Sequence, residues 1–440
     1  MIGYTALASR FLASRFLARR FLARRFLTLG LVAAGLAGTA HAQSVDPTSD
    51  LGQFRAAREQ GMKALDAHDM TGALAAFDKA ETFIPDSPSI LLLKTQAFLA
   101  ENRKDQAHDE LVAYEKRGYV VDIQKNPDFN AVWDSDLEAL QAANTKAVGE
   151  MHPAANLSGF VLGEGLASGG DRLYLSGVRN GSVMVVSAQG AKPLMSFRPG
   201  VAAYGLGVHG GNLWAATAAS RQTKGYEARA DVKSKIVVIN PANGAIINSF
   251  ADAAKDRNFG HILLGRDDLY VADTNHGEVL RLNGYAGAFQ VLIPEGYFDT
   301  PEAMAENADA SALIVSDFIA GLYRVDLAKG TLTHIKPPAG GTLLGLSQLV
   351  RDGNDLIGVE TGFKPNRVVR LHMSPDWSSV DSEEVLLRSD DALAQPTGGV
   401  IEDGHFIFIA NSQWNNLDAR GNPLNETPEP VVIGSIQIDP

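Results

Sequence analysis

One hairpin signature occurs six times between residues 151 and 440, and this repetition restricts the possible folds more than any other feature of the sequence. Each copy has a glycine-bearing strand, a tight turn and a second, mainly aliphatic strand. Successive copies begin between 40 and 56 residues apart. Repeats of this length with several strands each are typical of β-propeller blades. The second strands are LYLSG at Leu173, LWAAT at Leu213, LYVAD at Leu269, LIVSD at Leu313, LIGVE at Leu356 and IFIAN at Ile407.

The segments after these hairpins complete the blades. Third strands rich in Val, Ile and Arg follow, such as GEVLRL from Gly277 and GLYRVD from Gly321. The longest spacing is explained by a polar insertion at residues 219–233. We therefore predict an all-β six-bladed propeller over residues 151–440, closed by pairing of residues 151–162 with the C-terminal strand.

Composition excludes several classes of function. The chain has no cysteine, so disulfide frameworks, cysteine-ligated zinc and cysteine nucleophiles are excluded. Its net charge is −12, and removal of residues 1–42, which contain six arginines and no acid, would leave −18. A chain this acidic repels nucleic-acid phosphates, so we expect no nucleic-acid partner.

Residues 1–42 have the pattern of a cleavable export signal. A five-residue unit, ASRFL or ARRFL, occurs four times and is followed by an apolar stretch at residues 26–38 and by Ala40-His41-Ala42. A basic region, a short apolar region and a small-residue site predict cleavage after Ala42. The apolar stretch is too short for a membrane span. We expect a periplasmic or secreted protein, with Sec and twin-arginine export both open.

Residues 43–150 have helical spacing. Gly61, Ala73, Phe77, Ala80 and Pro85 match the order of small, aromatic and proline positions in a tetratricopeptide repeat. Residues 88–121 resemble a second copy 34 residues further on, and a third helix is predicted at residues 134–148. This predicts a small all-α, tetratricopeptide-like domain, either a groove for a periplasmic partner protein or a packed cap on the propeller.

Several motifs of the propeller segment resemble known families. VADTNHGEV at residues 271–279 is similar to the NHL repeat. GEGLA at 163, PEA at 301 and ANSQW at 410, together with six hairpins, resemble the senescence-marker-protein/gluconolactonase propellers. That resemblance implies one divalent metal in the central channel and hydrolysis of sugar lactones or related esters. It places the family's metal-binding glutamate at Glu164, whereas its asparagine and aspartate positions hold Glu302 and Ser347.

Propeller geometry brings the candidate site residues together without the family. The first residues of the innermost strands form a ring at one mouth of the channel, and the ends of the second strands lie beside it. Two carboxylates and an imidazole in this ring could bind one divalent cation, most readily Ca²⁺. The predicted metal ligands are Glu164, Glu302 and His261; the predicted catalytic residues are His261, Asp273 and Asp317; the predicted substrate pocket comprises Tyr204, Ser347, Glu360, Thr397, Asn411 and Trp414.

Structural roles are open for the same residues. Acidic residues at the end of a second strand, such as Asp273, Asp317 and Glu360, often cap turns, and His261 is either a functional group or a satisfied strand histidine. Two functions follow as alternatives. One is a metal-dependent lactone or ester hydrolase with a small-molecule pocket; the other is a non-catalytic periplasmic scaffold that uses the propeller face and the helical repeats to bind a protein.

Overall fold

The computed structural model describes residues 46–85, 87–227, 233–252, 256–418 and 421–438. The predicted export signal at residues 1–42 lies outside them. Within the described part of the chain a small helical region precedes the strands of a six-bladed β-propeller, as predicted. No described helix has the length and apolar character needed to cross a membrane.

Short connections join the first four helices, whereas a longer one with a 3-10 helix at Pro127–Ala131 leads to the fifth. Ser49 and Asp69 cap the first two, since their side chains accept hydrogen bonds from the amides of Gly52 and Gly72. A Cβ on Gly61 would lie 2.3 Å from Cε1 of Phe77, so only glycine allows this contact between α1 and α2. The helices are α1 (Asp50–Asp66), α2 (Met70–Glu81), α3 (Pro88–Ala100), α4 (Lys104–Glu115) and α5 (Ser135–Thr145).

Every blade is a four-stranded antiparallel sheet. Blade 1 contains β2 (Gly163–Ser168), β3 (Leu173–Gly177), β4 (Ser182–Ser187) and β5 (Gly190–Ser196). Blade 2 contains β6 (Val201–His209), β7 (Asn212–Ala219), β8 (Lys235–Ile239) and β9 (Ile246–Phe250). Blade 3 contains β10 (Phe259–Leu264), β11 (Asp268–Asp273), β12 (Glu278–Asn283) and β13 (Phe289–Ile293). Blade 4 contains β14 (Pro301–Glu306), β15 (Ala312–Asp317), β16 (Gly321–Asp326) and β17 (Leu332–His334). Blade 5 contains β18 (Leu346–Asp352), β19 (Asp355–Glu360), β20 (Arg367–Met373) and β21 (Val380–Arg388). Blade 6 contains β22 (Gly399–Glu402), β23 (His405–Asn411), β24 (Val431–Gln437) and β1 (His152–Leu157).

The ring closes through blade 6. Its outermost strand, β1, precedes blade 1 in the sequence and pairs with the C-terminal β24, from Leu157 opposite Val431 to His152 opposite Ser435. The predicted closure by residues 151–162 is therefore confirmed. Joining the two ends of the propeller in one sheet ties the first blade to the last.

The helical region packs on blades 3 to 5. Phe54 of α1 and Phe77 of α2 share one buried apolar cluster with Val279 and Phe298 of the propeller. Ser49 donates a hydrogen bond of 2.9 Å to the carbonyl of Gly296. At the other end of the region, Arg388 donates to the carbonyl of Lys146 at 3.1 Å.

Candidate functional site

The innermost strands depart from regular pairing at the level of the predicted ring. The register of β2 with β3 slips between Gly163 and Leu166, and similar slips occur in β6, β10, β14 and β18. A β-bulge turns a side chain away from the face that strand alternation would give it. The bulges therefore turn the side chains of Glu164, His261 and Glu302 away from the interfaces between blades.

Glycines bring neighbouring inner strands close together at this level. A Cβ on Gly165 would lie 2.5 Å from the Tyr204 carbonyl oxygen, and one on Gly398 would lie 2.5 Å from that of Glu164. A Cβ on Gly205 would lie 2.7 Å from the Gly260 carbonyl oxygen. A side chain at any of these three positions would push neighbouring strands apart. The glycines therefore keep the channel narrow at this level, which we call the waist.

Glu164 of blade 1, His261 of blade 3 and Glu302 of blade 4 meet at this waist. Nε2 of His261 lies 3.3 Å from Oε2 of Glu302 and 3.6 Å from Oε1 of Glu164. The second oxygen of Glu164 accepts a hydrogen bond from the indole nitrogen of Trp414. The structure thus brings together the three residues predicted from the sequence as metal ligands.

Burial and neighbouring charges have opposite effects on the pKa values of Glu164 and His261. Burial raises the pKa of Glu164 to about 7, against the favourable charge of His261. Burial opposes the charged imidazolium, but Glu302 and Glu164 outweigh it and raise the pKa of His261 above its ordinary value. The two carboxylates therefore favour the protonated form of His261 over its neutral form.

A cavity of ≈ 550 Å³ fills the channel on one side of the waist. It extends from His261 to the residues at which the inner strands end, such as Ser168, Asn307 and Arg351. Each inner strand pairs on one side only, so its other edge presents backbone amides and carbonyls to the channel. His261 is the one ring residue that lines the cavity within the described part of the chain. The cavity therefore lies away from the mouth at which the sequence placed the pocket.

Most of the predicted pocket residues hold the blades together instead of lining this cavity. Tyr204 is buried and shares a hydrogen bond with Ser220. The Thr397 hydroxyl donates to the Gly163 carbonyl at 3.3 Å, which links blade 6 to blade 1. Two more make contacts within their own blades: Ser347 donates to the Val359 carbonyl at 3.3 Å and Asn411 to the Pro430 carbonyl at 2.9 Å. Trp414 alone among these contacts the cluster, through Glu164.

Asp317, predicted as a catalytic residue, lies in a turn and bonds backbone amides. Its carboxylate accepts four backbone amide hydrogen bonds: 2.7 Å from Asp299, 2.8 Å from Thr300, 3.0 Å from Ile319 and 2.7 Å from Ala320. Burial raises the pKa of Asp317 to about 6 despite these donors. The side chain is fully occupied by the turns on both sides of β15, which is the structural alternative that the sequence left open.

Asp273 has the same role in blade 3. It accepts the amide hydrogen bonds of Asn258 at 3.0 Å and Asn275 at 3.1 Å, and it contacts Nδ1 of His276 at 2.8 Å. Its other neighbour is the buried Arg257, at 2.8 Å. These contacts match the turn-capping alternative that the sequence left open for Asp273.

Glu360 belongs to the contact between the helical region and blade 5. It is buried, pairs with Arg367 and accepts a hydrogen bond from the hydroxyl of Tyr119. The Arg367 guanidinium lies 5.0 Å from the centre of the Tyr119 ring. Glu360, predicted in the substrate pocket, does not line the cavity and is held by Arg367 and Tyr119.

Sequence reasoning missed Gln413, which precedes Trp414. Its Oε1 accepts the amides of Val161 at 2.9 Å and Leu162 at 3.1 Å, and its Nε2 donates to the carbonyls of Gly159 at 2.9 Å and Glu429 at 2.8 Å. The residue has a positive φ of 72°. Gln413 thus fixes the loop that carries Trp414 over Glu164. Three polar residues before a tryptophan in ANSQW were the available signal.

The described residues contain no group of three or more His, Asp or Glu side chains arranged to hold a metal ion. Oε1 of Glu302 is nevertheless buried without a hydrogen-bond partner. Such an oxygen is costly unless a ligand, a water or a proton satisfies it.

Comparison with known proteins gives a remote likeness. No protein-family model and no curated protein matches the chain. A chain of a nidogen/laminin complex matches with 14% identity and a TM-score of 0.39, covering 51% of this chain and 80% of that one. A chain of a mitotic checkpoint complex matches with 10% identity and a TM-score of 0.40, covering 60% of this chain and 74% of that one. The structure of U3-55K matches with 12% identity and a TM-score of 0.40, covering 62% of this chain and 79% of that one. These likenesses are too remote to carry an argument about function.

Proposed function

We propose that this protein binds a small molecule in the central cavity of the propeller, with His261 as the polar group at the inner end. The observation that carries the proposal is that His261 lines the cavity and also contacts two buried carboxylates. A buried histidine held by acidic residues at the end of a cavity is a frequent arrangement in binding and catalytic sites.

The cavity has suitable size and lining. Its ≈ 550 Å³ falls within the range of small-molecule sites. Leu206, Ile262, Leu349 and Val400 supply apolar surface, whereas Gln348 and the free strand edges supply hydrogen-bonding groups. A ligand with an apolar body and a carbonyl or ester group fits this distribution.

The finer proposal is hydrolysis of an ester or lactone. Glu302 and Glu164 hold Nε2 of His261, so the imidazole is oriented for proton transfer at the cavity end. Neutral imidazole would take a proton from water as the water attacks the ester carbonyl, and the imidazolium would return it to the leaving alcohol. An acid and an alcohol would be the products.

A divalent cation at Glu164, Glu302 and His261 remains a second proposal. The unpartnered Oε1 of Glu302 favours it. The present arrangement does not fit it, because Nε2 of His261 faces the two carboxylates at hydrogen-bonding or ion-pair distances and the described residues form no ligand group around a common centre. Calorimetric titration of the protein with Ca²⁺ tests the cation proposal. Binding to the intact chain that is lost in Glu302→Gln supports the cation site, and no binding to the intact chain supports the arrangement without a cation.

The test of the main proposal uses p-nitrophenyl butyrate and γ-butyrolactone as probes. We expect turnover by the intact chain and a loss of about 100-fold or more in His261→Asn, the usual contribution of general acid–base catalysis. His405→Asn is the matched control, since His405 is an exposed hairpin histidine that does not line the cavity. Calorimetric binding of γ-butyrolactone to the two variants tests binding separately. Absence of both binding and turnover in the intact chain would refute the proposal.

A further inference from the structure

Two arginines line the central cavity at the end opposite the waist. Of the described residues that form its wall, four can carry a charge: His261, Arg266, Glu306 and Arg351. Three of these four are basic, although Asp and Glu outnumber Lys and Arg by 51 to 39 in the whole chain. The wall of the cavity therefore has the opposite charge balance to the chain as a whole.

The side chain of Arg266 crosses from blade 3 to blade 4. Its guanidinium donates to the carbonyls of Ala308 at 3.2 Å and Asp309 at 2.8 Å, in the turn after β14. Backbone carbonyls do not neutralise a guanidinium. The carboxylate of Glu306 is directed at the backbone of blade 3, since its Oε2 accepts the amide of Arg266 at 2.8 Å and its Oε1 would lie 2.3 Å from a Cβ on Gly265. Arg266 thus keeps a positive charge beside the end of β14.

The side chain of Arg351 approaches the same strand end from blade 5. Arg351 is paired across the sheet with Leu356 and is two residues after Leu349, so all three side chains lie on one face of the blade. Both leucines share a buried apolar cluster with Ala303 of β14, so this face is turned towards blade 4. Arg266 and Arg351 therefore flank the end of β14 from its two sides.

Arg351 has donors available for a ligand. Within the described part of the chain its guanidinium makes one hydrogen bond, from Nη1 to the Gly353 carbonyl at 3.0 Å. The Nε and Nη2 groups, which can bind the two oxygens of a carboxylate side by side, are left over. The adjacent acid, Asp352, does not compete for them, because it pairs with Arg370 at 2.8 Å.

The waist and the arginines suit the two ends of one ligand. From Glu302 at the waist to Glu306 at the strand end, β14 covers four residues, or about 13 Å at about 3.3 Å per residue. Side chains at both ends reach into this span, and Leu349 and other apolar residues line it. A molecule of this size that bridges the cavity meets His261 at one end and Arg351 at the other.

We propose that Arg351 and Arg266 bind a carboxylate at the open end of the cavity, so that the ligand is an organic acid whose ester or other carbonyl group reaches His261. This inference rests on the proposed function for the position of the second group. Arginine is suited to the first, because its planar guanidinium matches a carboxylate with two parallel hydrogen bonds.

Monomethyl adipate and dimethyl adipate are the probes, because they differ in one carboxylate. In calorimetric titrations of the full chain we expect the acid to bind about tenfold or more tightly than the neutral diester, as charge-assisted hydrogen bonds give. Arg351→Gln should reduce this ratio by about fivefold or more, and Arg351→Lys should retain part of it. Arg172→Gln is the matched control, since Arg172 is also exposed and also donates to a carbonyl, that of Pro241 at 3.3 Å, but does not line the cavity.

The outcomes separate the carboxylate site from the proposed hydrolysis. A preference for the acid that is lost in Arg351→Gln and kept in Arg172→Gln supports the site, even if no methanol is released from either ester. Binding of γ-butyrolactone with equal affinity for the two adipates overturns the carboxylate site alone. No binding of monomethyl adipate by the intact chain, or an equal loss of preference in Arg351→Gln and Arg172→Gln, also overturns it.

Discussion

Nε2 of His261 lies 3.3 Å from Oε2 of Glu302, although the two residues belong to neighbouring blades. The contact places a titratable nitrogen against a carboxylate that is almost fully shielded from water. Because low-dielectric surroundings strengthen such an interaction, Glu302 decides how tightly His261 holds its proton.

Replacing Glu302 by Gln should lower the pKa of His261. The neutral amide removes the main favourable charge beside the imidazolium, while burial still opposes protonation. We expect the pKa of His261 to fall, as read from the imidazole proton signals during an NMR titration and assigned with His261→Asn.

Glu164→Gln is the control for that prediction. Its oxygen is further from Nε2, at 3.6 Å, and burial leaves its pKa at about 7, so it carries only part of a charge at neutral pH. Glu164→Gln should therefore lower the pKa of His261 less than Glu302→Gln does. If Glu164→Gln lowers the pKa of His261 more than Glu302→Gln does, the assigned pairing is wrong.

The stability of the fold should decrease as the pH rises from about 5 to about 8. Burial raises the pKa of Glu115 and Glu164 to about 7 and that of Asp317 to about 6. A folded-state pKa above the unfolded value gives stability that is complete below the unfolded pKa and is lost as the pH passes the folded one. Urea denaturation should show a loss of at least about 3 kcal/mol, since a tenfold change in proton affinity corresponds to about 1.4 kcal/mol.

Glu115→Gln separates one contribution. The carboxylate of Glu115 is buried in the helical region beside Asn144, at 3.0 Å. The amide cannot ionise, so the slope of stability against pH should become shallower even if the absolute stability changes. An unchanged slope would show that the protonation of Glu115 does not differ between the folded and unfolded protein over this range.

The fold was predictable because its signals are repeated. Six hairpins, five of them with glycine at the turn, define the blades, and no single misread strand changes the count. The ring of first-strand residues followed from the same repetition, which is why Glu164, His261 and Glu302 were correctly brought together.

The identity of hydrogen-bond partners was not predictable in this way. Asp273 and Asp317 end strands at positions that also lie near a channel, and only the backbone conformation of the following turn shows that the amides face the carboxylate. Glu360 occupies the equivalent position in blade 5, yet its partner Tyr119 lies 241 residues away in the sequence. Contacts this distant leave no local pattern.

The contact between Glu360, Arg367 and Tyr119 should be a main source of stability for the helical region. Glu360→Gln leaves the buried guanidinium of Arg367 with Glu383, at 3.5 Å, as its remaining acidic partner, and we expect a loss of about 2 kcal/mol or more in urea denaturation. Tyr119→Phe removes one hydrogen bond and should cost about 1 kcal/mol. Equal effects of both changes would contradict the assigned ion pair.

The hydrogen bonds of Gln413 should control both closure of the ring and the position of Trp414. Gln413→Met has similar volume but leaves the buried amides of Val161 and Leu162 without an acceptor, which should cost about 2 kcal/mol or more. Gln348→Met is the control, because the side chain of Gln348 makes one long hydrogen bond, 3.4 Å, to the Gly399 carbonyl. The measurement is urea denaturation, combined with a titration of Glu164, whose pKa should rise further when the indole donor is displaced. Equal stability of the two variants and an unshifted Glu164 would show that Trp414 keeps its place without Gln413.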